Sequence, residues 1–372
     1  MKSNPGWFHI DHIEEIDSPA LVVFPDRVKK NIQTAIQMVG NVDRLRPHIK
    51  THKSPDVVQL MLDAGIIRFK CATIAEAEML GMKGAPDVLL AYQPAGPKLK
   101  RFTELIKKYC DTKYSCLTDT MAVATEQSAI FTANGWKVPV YIDLNVGMNR
   151  TGIAPGPAAI ELYEYCASLK GIIPVGLHAY DGHIHDVDFI KRTADCDAAF
   201  ALVIEMKETL IKKGLPAPVI IAGGSHSFPI HCRRTGIECS PGTFIYWDKG
   251  NSDFCPEQNF LPAALLVTRI VSLPKENLIC TDLGHKSVAA EKELTRRVYF
   301  LNAPELEAVS QSEEHLVLKA SQNHGYKAGD ILYGMPVHIC PTVALYENVI
   351  TVENGKATGE WPTIARNRKI LV

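Results

Sequence analysis

Val138-Pro-Val-Tyr-Ile-Asp-Leu144 and Ile172-Ile-Pro-Val-Gly-Leu-His-Ala179 are apolar, β-type runs, and the amphipathic segment 158–169 lies between them. Strands that alternate with helices in this way form a parallel sheet, because each connection must cross over before the next strand begins. Working outward, the same alternation predicts strands over 20–24, 45–48, 67–72, 87–91, 115–117, 138–144, 172–179 and 219–222. About eight such units over roughly 230 residues fit a (β/α)8 barrel better than a doubly wound sheet.

The alternation ends after Ala222, and β-rich runs follow from Leu261 onward. These runs are separated by turn signals such as Glu353-Asn-Gly, which is typical of antiparallel pairing. We therefore predict two domains: a barrel over residues 18–250, and a mostly antiparallel β domain over 251–372 that residues 1–17 join.

Composition excludes several classes of protein. Lys and Arg number 40 and Asp and Glu number 41, so no basic excess is available for nucleic acid. No apolar run approaches the roughly 18 residues of a membrane span, and the N-terminal stretch lacks an apolar secretory core. The ten cysteines are scattered without a CxxC pair. We expect a cytoplasmic protein with reduced thiols, nine of them in the core and Cys340 the exception.

Barrel chemistry lies where strands end, and the first candidate site is Arg46-Pro-His-Ile-Lys50-Thr-His-Lys53. A lysine that points into a barrel mouth beside other cations is partly desolvated, which lowers its pKa and prepares it to form a Schiff base. A solvated basic loop would contain the same residue types, so the composition of this stretch leaves both interpretations open.

Two further candidates follow later strands. The strand 138–144 leads into Asn-Val-Gly-Met-Asn-Arg150, a turn that presents one arginine suited to an anionic ligand oxygen. The strand 172–179 leads into Tyr180-Asp-Gly-His183-Ile-His185-Asp186. Such a density of titratable groups indicates a site, although packed or exposed histidines would give the same pattern.

Phosphate and metal sites are also predicted. The loops at Gly223-Gly224-Ser225 and Pro241-Gly242-Thr243 offer backbone N–H groups and hydroxyls, at the position where such barrels commonly bind phosphate. His338 and Cys340 stand two residues apart on a predicted strand, which would direct both side chains to one face. These ligand types suit zinc.

Together these motifs resemble the fold-type III pyridoxal-phosphate enzymes of the D-threonine aldolase and D-serine dehydratase family, with an alanine racemase-like barrel. The resemblance covers most of the chain. Besides the motifs above, it includes Ser18-Pro-Ala-Leu-Val, Cys71-Ala-Thr-Ile-Ala-Glu-Ala-Glu, Asp282-Leu-Gly-His-Lys and Pro336-Val-His-Ile-Cys-Pro-Thr-Val. Each motif is weak alone, and their shared order makes chance a poor explanation.

The resemblance implies a role for each candidate. Lys50 is the Schiff-base lysine, Arg150 contacts the cofactor ring oxygen, and Tyr180 lies beside the ring. The phosphate binders are Gly223, Gly224, Ser225, Gly242, Thr243 and Tyr246. His338 and Cys340 hold a divalent metal, with zinc expected and manganese or magnesium as alternatives. The resemblance also implies a small D-amino acid substrate and a homodimer with active sites near the interface.

Two reactions of a D-β-hydroxy amino acid then compete. Loss of the β-hydroxyl gives a 2-keto acid and ammonia, whereas retro-aldol cleavage gives glycine and an aldehyde. The resemblance favours elimination, because dehydratases of this family use His-x-Cys and its aldolases tend to use His-x-Asp. Its aldolases also place a histidine base six residues after the tyrosine, where this chain has Asp186. His183 or His185 could supply that base instead.

Other hypotheses stay open. A cofactor-independent barrel enzyme would lack the absorbance of a lysine-bound cofactor, and a non-catalytic pyridoxal-phosphate carrier would lack the β domain. An amino acid racemase would need a second base, which the sequence does not identify. Arg233, Arg234 and Gln93 are candidates for binding the substrate carboxylate.

Overall fold

The computed structural model describes residues 6–372, and residues 1–5 of the predicted 1–17 segment lie outside the described residues. The chain divides into two compact units. One comprises residues up to Ile32, Thr51–Val57 and Thr243–Arg366, and the other comprises Gln33–Lys50, Val58–Gly242 and Asn367–Val372. The domain boundary at 250/251 stays a prediction.

The secondary structure follows the predicted order closely. The strands are β1 Ala20–Val23, β2 Arg68–Cys71, β3 Asp87–Leu90, β4 Lys113–Thr118, β5 Val138–Leu144, β6 Ile172–Ala179, β7 Val219–Ala222, β8 Ile237–Cys239, β9 Ala264–Lys275, β10 Leu278–Thr281, β11 Val298–Phe300, β12 Glu307–Gln311, β13 Leu316–Lys319, β14 Ile331–Pro336, β15 Asn348–Glu353 and β16 Lys356–Pro362. The helices are α1 Pro25–Val39, α2 Pro55–Asp63, α3 Ile74–Met82, α4 Pro97–Lys108, α5 Met121–Ala133, α6 Pro157–Ser168, α7 Phe189–Lys212, α8 Phe228–His231, α9 Lys249–Phe254 and α10 Ile339–Val343.

The barrel unit contains seven parallel strands, β2 to β8, which lie side by side in chain order. The segment before Lys50 links the two edges of this sheet, because Leu45 forms a parallel bridge with Cys239 in β8 and His48 forms one with Lys70 in β2. A parallel β/α topology is therefore confirmed, as is the separate, mostly antiparallel sheet.

One predicted barrel strand was assigned to the wrong sheet. β1 pairs with β9 and β15 in the other unit, and the three-residue strand β8 takes the remaining place in the parallel sheet. The reason is physical: β1 is buried along its whole length, and an apolar run of that kind has the same sequence pattern in either type of sheet. β8 is too short to give a pattern of its own.

The second sheet has nine strands and is antiparallel apart from the β1–β15 pair. Val22, Leu265, Val267, Met335 and Val352 form part of its core. The predicted Glu353-Asn-Gly turn joins β15 to β16, and both Asn354 and Gly355 have positive φ there. That backbone conformation is the one that two-residue hairpins require. Within residues 6–372, no helix combines the length and apolar character needed to cross a bilayer.

Candidate active site

Lys50 lies at the carboxyl end of the segment that links β8 to β2. Arg46, upstream of it, is buried and anchors this segment by ion pairs of 2.6 Å to both Asp87 and Glu238. The Lys50 side chain is half-buried, and its backbone N–H donates to His48 Nδ1 at 3.3 Å. The barrel thus holds this lysine on a rigid support at the end where chemistry occurs.

Arg150 and Tyr180 come together from β5 and β6. The Arg150 guanidinium lies 4.9 Å from the centroid of the Tyr180 ring. The turn that carries Arg150 is held by Asn145, whose Oδ1 accepts from the N–H groups of Gly147 and Asn149 at 3.1 and 3.0 Å. The side chain of Arg150 remains exposed, so it is available to an anionic ligand.

Replacing Arg150 with alanine is expected to weaken cofactor binding by about tenfold or more, since a charge-assisted hydrogen bond contributes roughly 1.5–3 kcal/mol. Thermal stability should stay near that of the wild type, because the side chain is exposed. Equilibrium dialysis and a thermal melt measure the two effects, with Lys113→Ala, an exposed residue at the start of β4, as control. Unchanged cofactor affinity would show that Arg150 does not bind the cofactor.

The residues after Tyr180 differ in their surroundings. His183 packs against Gly147, where an added Cβ would lie 2.5 Å from His183 Nε2, and its buried Nδ1 has no partner among residues 6–372. His185 is exposed, and its Nδ1 donates to the His183 carbonyl at 2.7 Å. Asp186 pairs with Lys191 Nζ at 2.6 Å, and this hydrogen bond lowers the pKa of Asp186. Asp186 is therefore a carboxylate already engaged in an ion pair.

The two predicted phosphate loops of the barrel unit contact each other. Ser225 Oγ accepts from the Gly242 N–H at 3.3 Å, and Ser227 Oγ accepts from the Gly224 N–H at 3.2 Å. A Cβ at Gly224 would lie 3.1 Å from the Tyr180 ring, so the first loop also approaches the candidate ring-binding tyrosine. The arrangement brings Gly223, Gly224, Ser225 and Gly242 together.

Thr243 and Tyr246 belong to the other unit. Tyr246 is fully buried and packs edge-on against His52, with ring centroids 6.5 Å apart. Its hydroxyl has no hydrogen-bond partner within residues 6–372. A buried hydroxyl without a partner is costly, so the Tyr246 hydroxyl is a candidate to bind a ligand oxygen or a water molecule.

Sequence inspection missed a buried network behind Tyr180. The Asp181 carboxylate accepts from Ser227 Oγ at 2.6 Å and contacts His231 Nε2 at 2.8 Å. Arg234 Nη1 lies 2.6 Å from His231 Nδ1. Since arginine only donates, His231 must accept at Nδ1 and carry its proton at Nε2. Because Ser227 also accepts from Gly224, the network connects the residue after Tyr180 to the first phosphate loop.

The same network includes a cluster with metal-ligand composition, Asp181, Cys196 and His231. The tautomer argues against a metal there, because His231 Nε2 bears a proton that it donates to Asp181. Burial and the Asp181 charge also raise the pKa of the Cys196 thiol to about 12. Arg234 pairs with His231 and Asp197, whereas Gln93 Oε1 accepts from the Asp119 N–H at 2.6 Å. Binding of the substrate carboxylate by Arg233, Arg234 or Gln93 stays a prediction.

Replacing Asp181 with asparagine is expected to weaken cofactor binding by about tenfold, because an amide cannot accept from both Ser227 and the His231 N–H. The substitution also leaves a buried donor without a partner, which should lower the free energy of unfolding by about 1–3 kcal/mol. Cofactor dialysis and denaturant unfolding measure these effects. Asp195→Asn, at an exposed position of α7, is the control, and equal behaviour of both variants would contradict the prediction.

The predicted metal pair lies in the other unit, and its backbone differs from the prediction. β14 ends at Pro336, His338 is the N-cap of α10, and Cys340 lies in the first turn of that helix. Strand alternation was therefore the wrong reason to bring these side chains together. The helix begins here because Asp248 accepts the Ile339 N–H at 2.9 Å, a cap supplied from a distant part of the chain.

The two residues nevertheless interact, and three further groups surround them. His338 Nδ1 lies 2.5 Å from Glu291 Oε1, and Thr51 Oγ1 lies 3.1 Å from Cys340 Sγ. Burial alone would lower the pKa of His338. The interactions of its ring with Cys340, Glu291 and Asp248 have the larger effect and raise the pKa to about 9. Because the carboxylate occupies Nδ1, Nε2 is available to a metal. A carboxylate on the other ring nitrogen is the usual support of a metal-bound histidine. Thr51 directly follows Lys50 in the chain.

The barrel interior holds further ionisable residues that sequence inspection did not select. Asp143 Oδ1 lies 2.7 Å from Nδ1 of the buried His178. Lys70 is also buried, with Nζ 5.7 Å from the Tyr180 ring centroid. A signal existed for Asp143, because it is the single charged residue of the apolar strand β5 and faces inward. Lys70 gave a weaker signal, since β2 also contains Arg68.

Comparison with known proteins decides the family. Residues 23–249 match the model of the alanine racemase N-terminal domain. The chain belongs to this family. Residues 263–352 match the putative serine dehydratase domain. The alanine racemase-like barrel and the resemblance inferred from the motifs are thereby confirmed, and with them the prediction of a pyridoxal-phosphate enzyme.

Relatives of this racemase-like chain have several activities. The chain is 26% identical over 366 residues to a 3-hydroxy-D-aspartate aldolase of Paracoccus denitrificans, covering 95% of this chain and 93% of the relative. It is 25% identical to a D-threo-3-hydroxyaspartate dehydratase of Delftia, covering 77% and 76%. The crystal structure of D-threonine aldolase from Filomicrobium marinum shares the fold, with a TM-score of 0.86 at 24% identity, covering 94% and 95%.

Proposed function

We propose that this chain is a pyridoxal-5′-phosphate- and divalent-metal-dependent lyase that converts D-β-hydroxy amino acids to a 2-keto acid and ammonia. D-Serine and 3-hydroxyaspartate are the substrates that we expect. The relatives named above are aldolases and a dehydratase, which supports a lyase of this substrate class. The homodimer that the resemblance implies is part of the proposal.

The residues of the barrel unit fit the cofactor. Lys50 offers the amine, Arg150 and Tyr180 offer a cation beside a ring, and the joined loops at Gly224 and Gly242 offer a phosphate site. In the other unit, the buried hydroxyl of Tyr246 has no hydrogen-bond partner among residues 6–372, and the resemblance implies that it binds phosphate. When bound, pyridoxal phosphate supplies a ring that withdraws electrons from the substrate's Cα. Lys50, as the free amine, takes the proton from that carbon.

The donors at His338 and Cys340 fit a divalent metal. A thiol beside an imidazole is a borderline-soft pair that suits zinc, and Glu291 supports the imidazole from behind. Two protein ligands leave coordination positions open for water or a substrate oxygen. Bound there, zinc would act as a Lewis acid toward a departing hydroxide.

The composition of this metal pair, a histidine and a cysteine, is the observation that favours elimination over retro-aldol cleavage. Retro-aldol cleavage needs a base to take the proton of the β-hydroxyl, and Asp186, which occupies the corresponding position, is held by Lys191. Cleavage remains the second candidate because His183 has a buried ring nitrogen without a described partner, and because the Paracoccus denitrificans aldolase aligns along 95% of this chain.

A panel of D- and L-β-hydroxy amino acids tests the proposal. Purified protein with pyridoxal phosphate and zinc should release keto acid and ammonia from the D-enantiomers and nothing from the L-enantiomers. Aldehyde and glycine as main products would establish the aldolase instead. Interconversion of the enantiomers without either product would establish a racemase.

A further inference from the structure

Lys70 is a buried lysine that the proposed chemistry does not use. It lies in β2 between Phe69 and Cys71, and its backbone is fixed on one side by the Ile49 N–H, which donates to the Lys70 carbonyl at 2.9 Å. Only 2% of the residue is exposed. Because neighbouring residues of a strand point to opposite faces, Lys70 points into the barrel while Phe69 and Cys71 point away.

The Lys70 amine has no ion-pair partner, since no carboxylate in residues 6–372 lies within 4.0 Å of it. Its surroundings mix both signs of charge: Lys50 and Arg46 are the cations, and Asp143 and Asp181 are the carboxylates that face it. The neutral groups beside it are the Tyr180 ring and His178. An ammonium on a buried residue without an ion-pair partner is unfavourable, so an anionic ligand near Lys70 would stabilise its charged form.

A second observation points to the same missing group. His178 is buried, and Asp143 fixes its Nδ1 at 2.7 Å. Its other ring nitrogen, Nε2, is also buried and has no hydrogen-bond partner in the described part of the chain. Lys70 and His178 influence each other electrostatically, so two unsatisfied polar groups lie in the same part of the barrel interior.

We propose that Lys70 is a buried counter-charge for the cofactor, whose ammonium stabilises the negative charge of bound pyridoxal phosphate from inside the barrel. The inference rests on the proposed cofactor site and adds to it a residue that does not form the Schiff base. A charge buried at short range acts through a medium of low polarity, so it is effective without direct contact.

This role makes cofactor binding depend on pH. In the free protein, burial lowers the pKa of Lys70, the charge of Lys50 lowers it further, and Asp181 and Asp143 oppose them, so that the pKa is about 7. An anionic ligand favours the ammonium and raises the pKa in the complex. Ligand affinity should therefore be highest below pH 7 and fall as pH rises, by at most about tenfold per pH unit for one proton.

The test uses pyridoxine 5′-phosphate, an analogue that cannot form an imine, so Lys50 chemistry does not contribute. Its dissociation constant is measured for the wild type and Lys70→Met between pH 6 and pH 10. The wild type should bind at least about tenfold more tightly at pH 7, and the difference should vanish near pH 10. Lys113→Met, at the exposed start of β4, should match the wild type at every pH.

Two results would overturn the inference: equal affinity of wild type and Lys70→Met at pH 7, or a loss that is the same at every pH, which indicates a structural role only. Methionine removes an unpaired buried charge, so the variant should fold at least as stably as the wild type.

Calorimetry of the wild type alone provides the check that needs no variant. Binding at pH 8 in buffers of different ionisation enthalpy should show net proton uptake, and zero uptake would contradict the proposal. Labelling of Lys50 and turnover test the proposed function separately, because neither requires Lys70 to titrate.

Discussion

Lys50→Ala should turn over D-serine at least about a thousandfold more slowly than the wild type, because it loses both the cofactor's attachment and the base at Cα. Borohydride reduction of the wild-type holoenzyme, followed by peptide mapping, should place the pyridoxyl group on Lys50. Lys50 is half-buried, and it lies on the segment that the two ion pairs of Arg46 anchor.

Lys53→Ala is the matched control, since Lys53 lies three residues away in the same basic stretch. It should retain activity and label on Lys50. A pyridoxyl group on Lys53, or full turnover by Lys50→Ala, would remove Lys50 from the mechanism.

Metal removal should have the second large effect. Treatment with EDTA is expected to lower elimination by at least about a hundredfold, since the hydroxide would lose its Lewis acid. The borohydride label on Lys50 should persist, because attachment of the cofactor does not use His338 or Cys340. Zinc should restore the activity, and manganese should do so less well, because a thiolate favours the softer ion.

Cys340→Ala should behave like the metal-free enzyme, and Cys340→Asp should shift the metal preference toward manganese. Cys280→Ala, another half-buried thiol of the same unit, should leave the metal response unchanged. Full elimination by the stripped enzyme would exclude the metal from the reaction.

The parts of the candidate site that depend on local order could be proposed from the sequence alone. Arg150 and Tyr180 follow apolar strands, and Lys50 follows the segment that bridges β8 and β2. Because carboxyl ends of parallel strands share one edge, their positions in the chain define that edge. The loop glycines at 223, 224 and 242 follow the last barrel strands for the same reason. The pairing of Arg150 with Tyr180 was predictable because the strands that precede them are neighbours in the predicted order.

Contacts between distant residues could not be predicted in this way. The α10 N-terminus that carries His338 and Cys340 depends on a cap from Asp248, 91 residues earlier in the chain. The buried network behind Tyr180 needs Asp181, Ser227 and His231 from three separate segments. Lys70 appears in sequence as one of two cations in β2, beside Arg68, and only the barrel shows that it lies near Tyr180 and Asp143.

Product analysis with D-threo-3-hydroxyaspartate tests the central claim most directly, because its two possible reactions share no product. Zinc-loaded enzyme is incubated with the labelled amino acid, and the products are quantified by carbon NMR together with an ammonia assay. Elimination predicts oxaloacetate and ammonia in equal amounts. Glycine and glyoxylate, without release of ammonia, would contradict it.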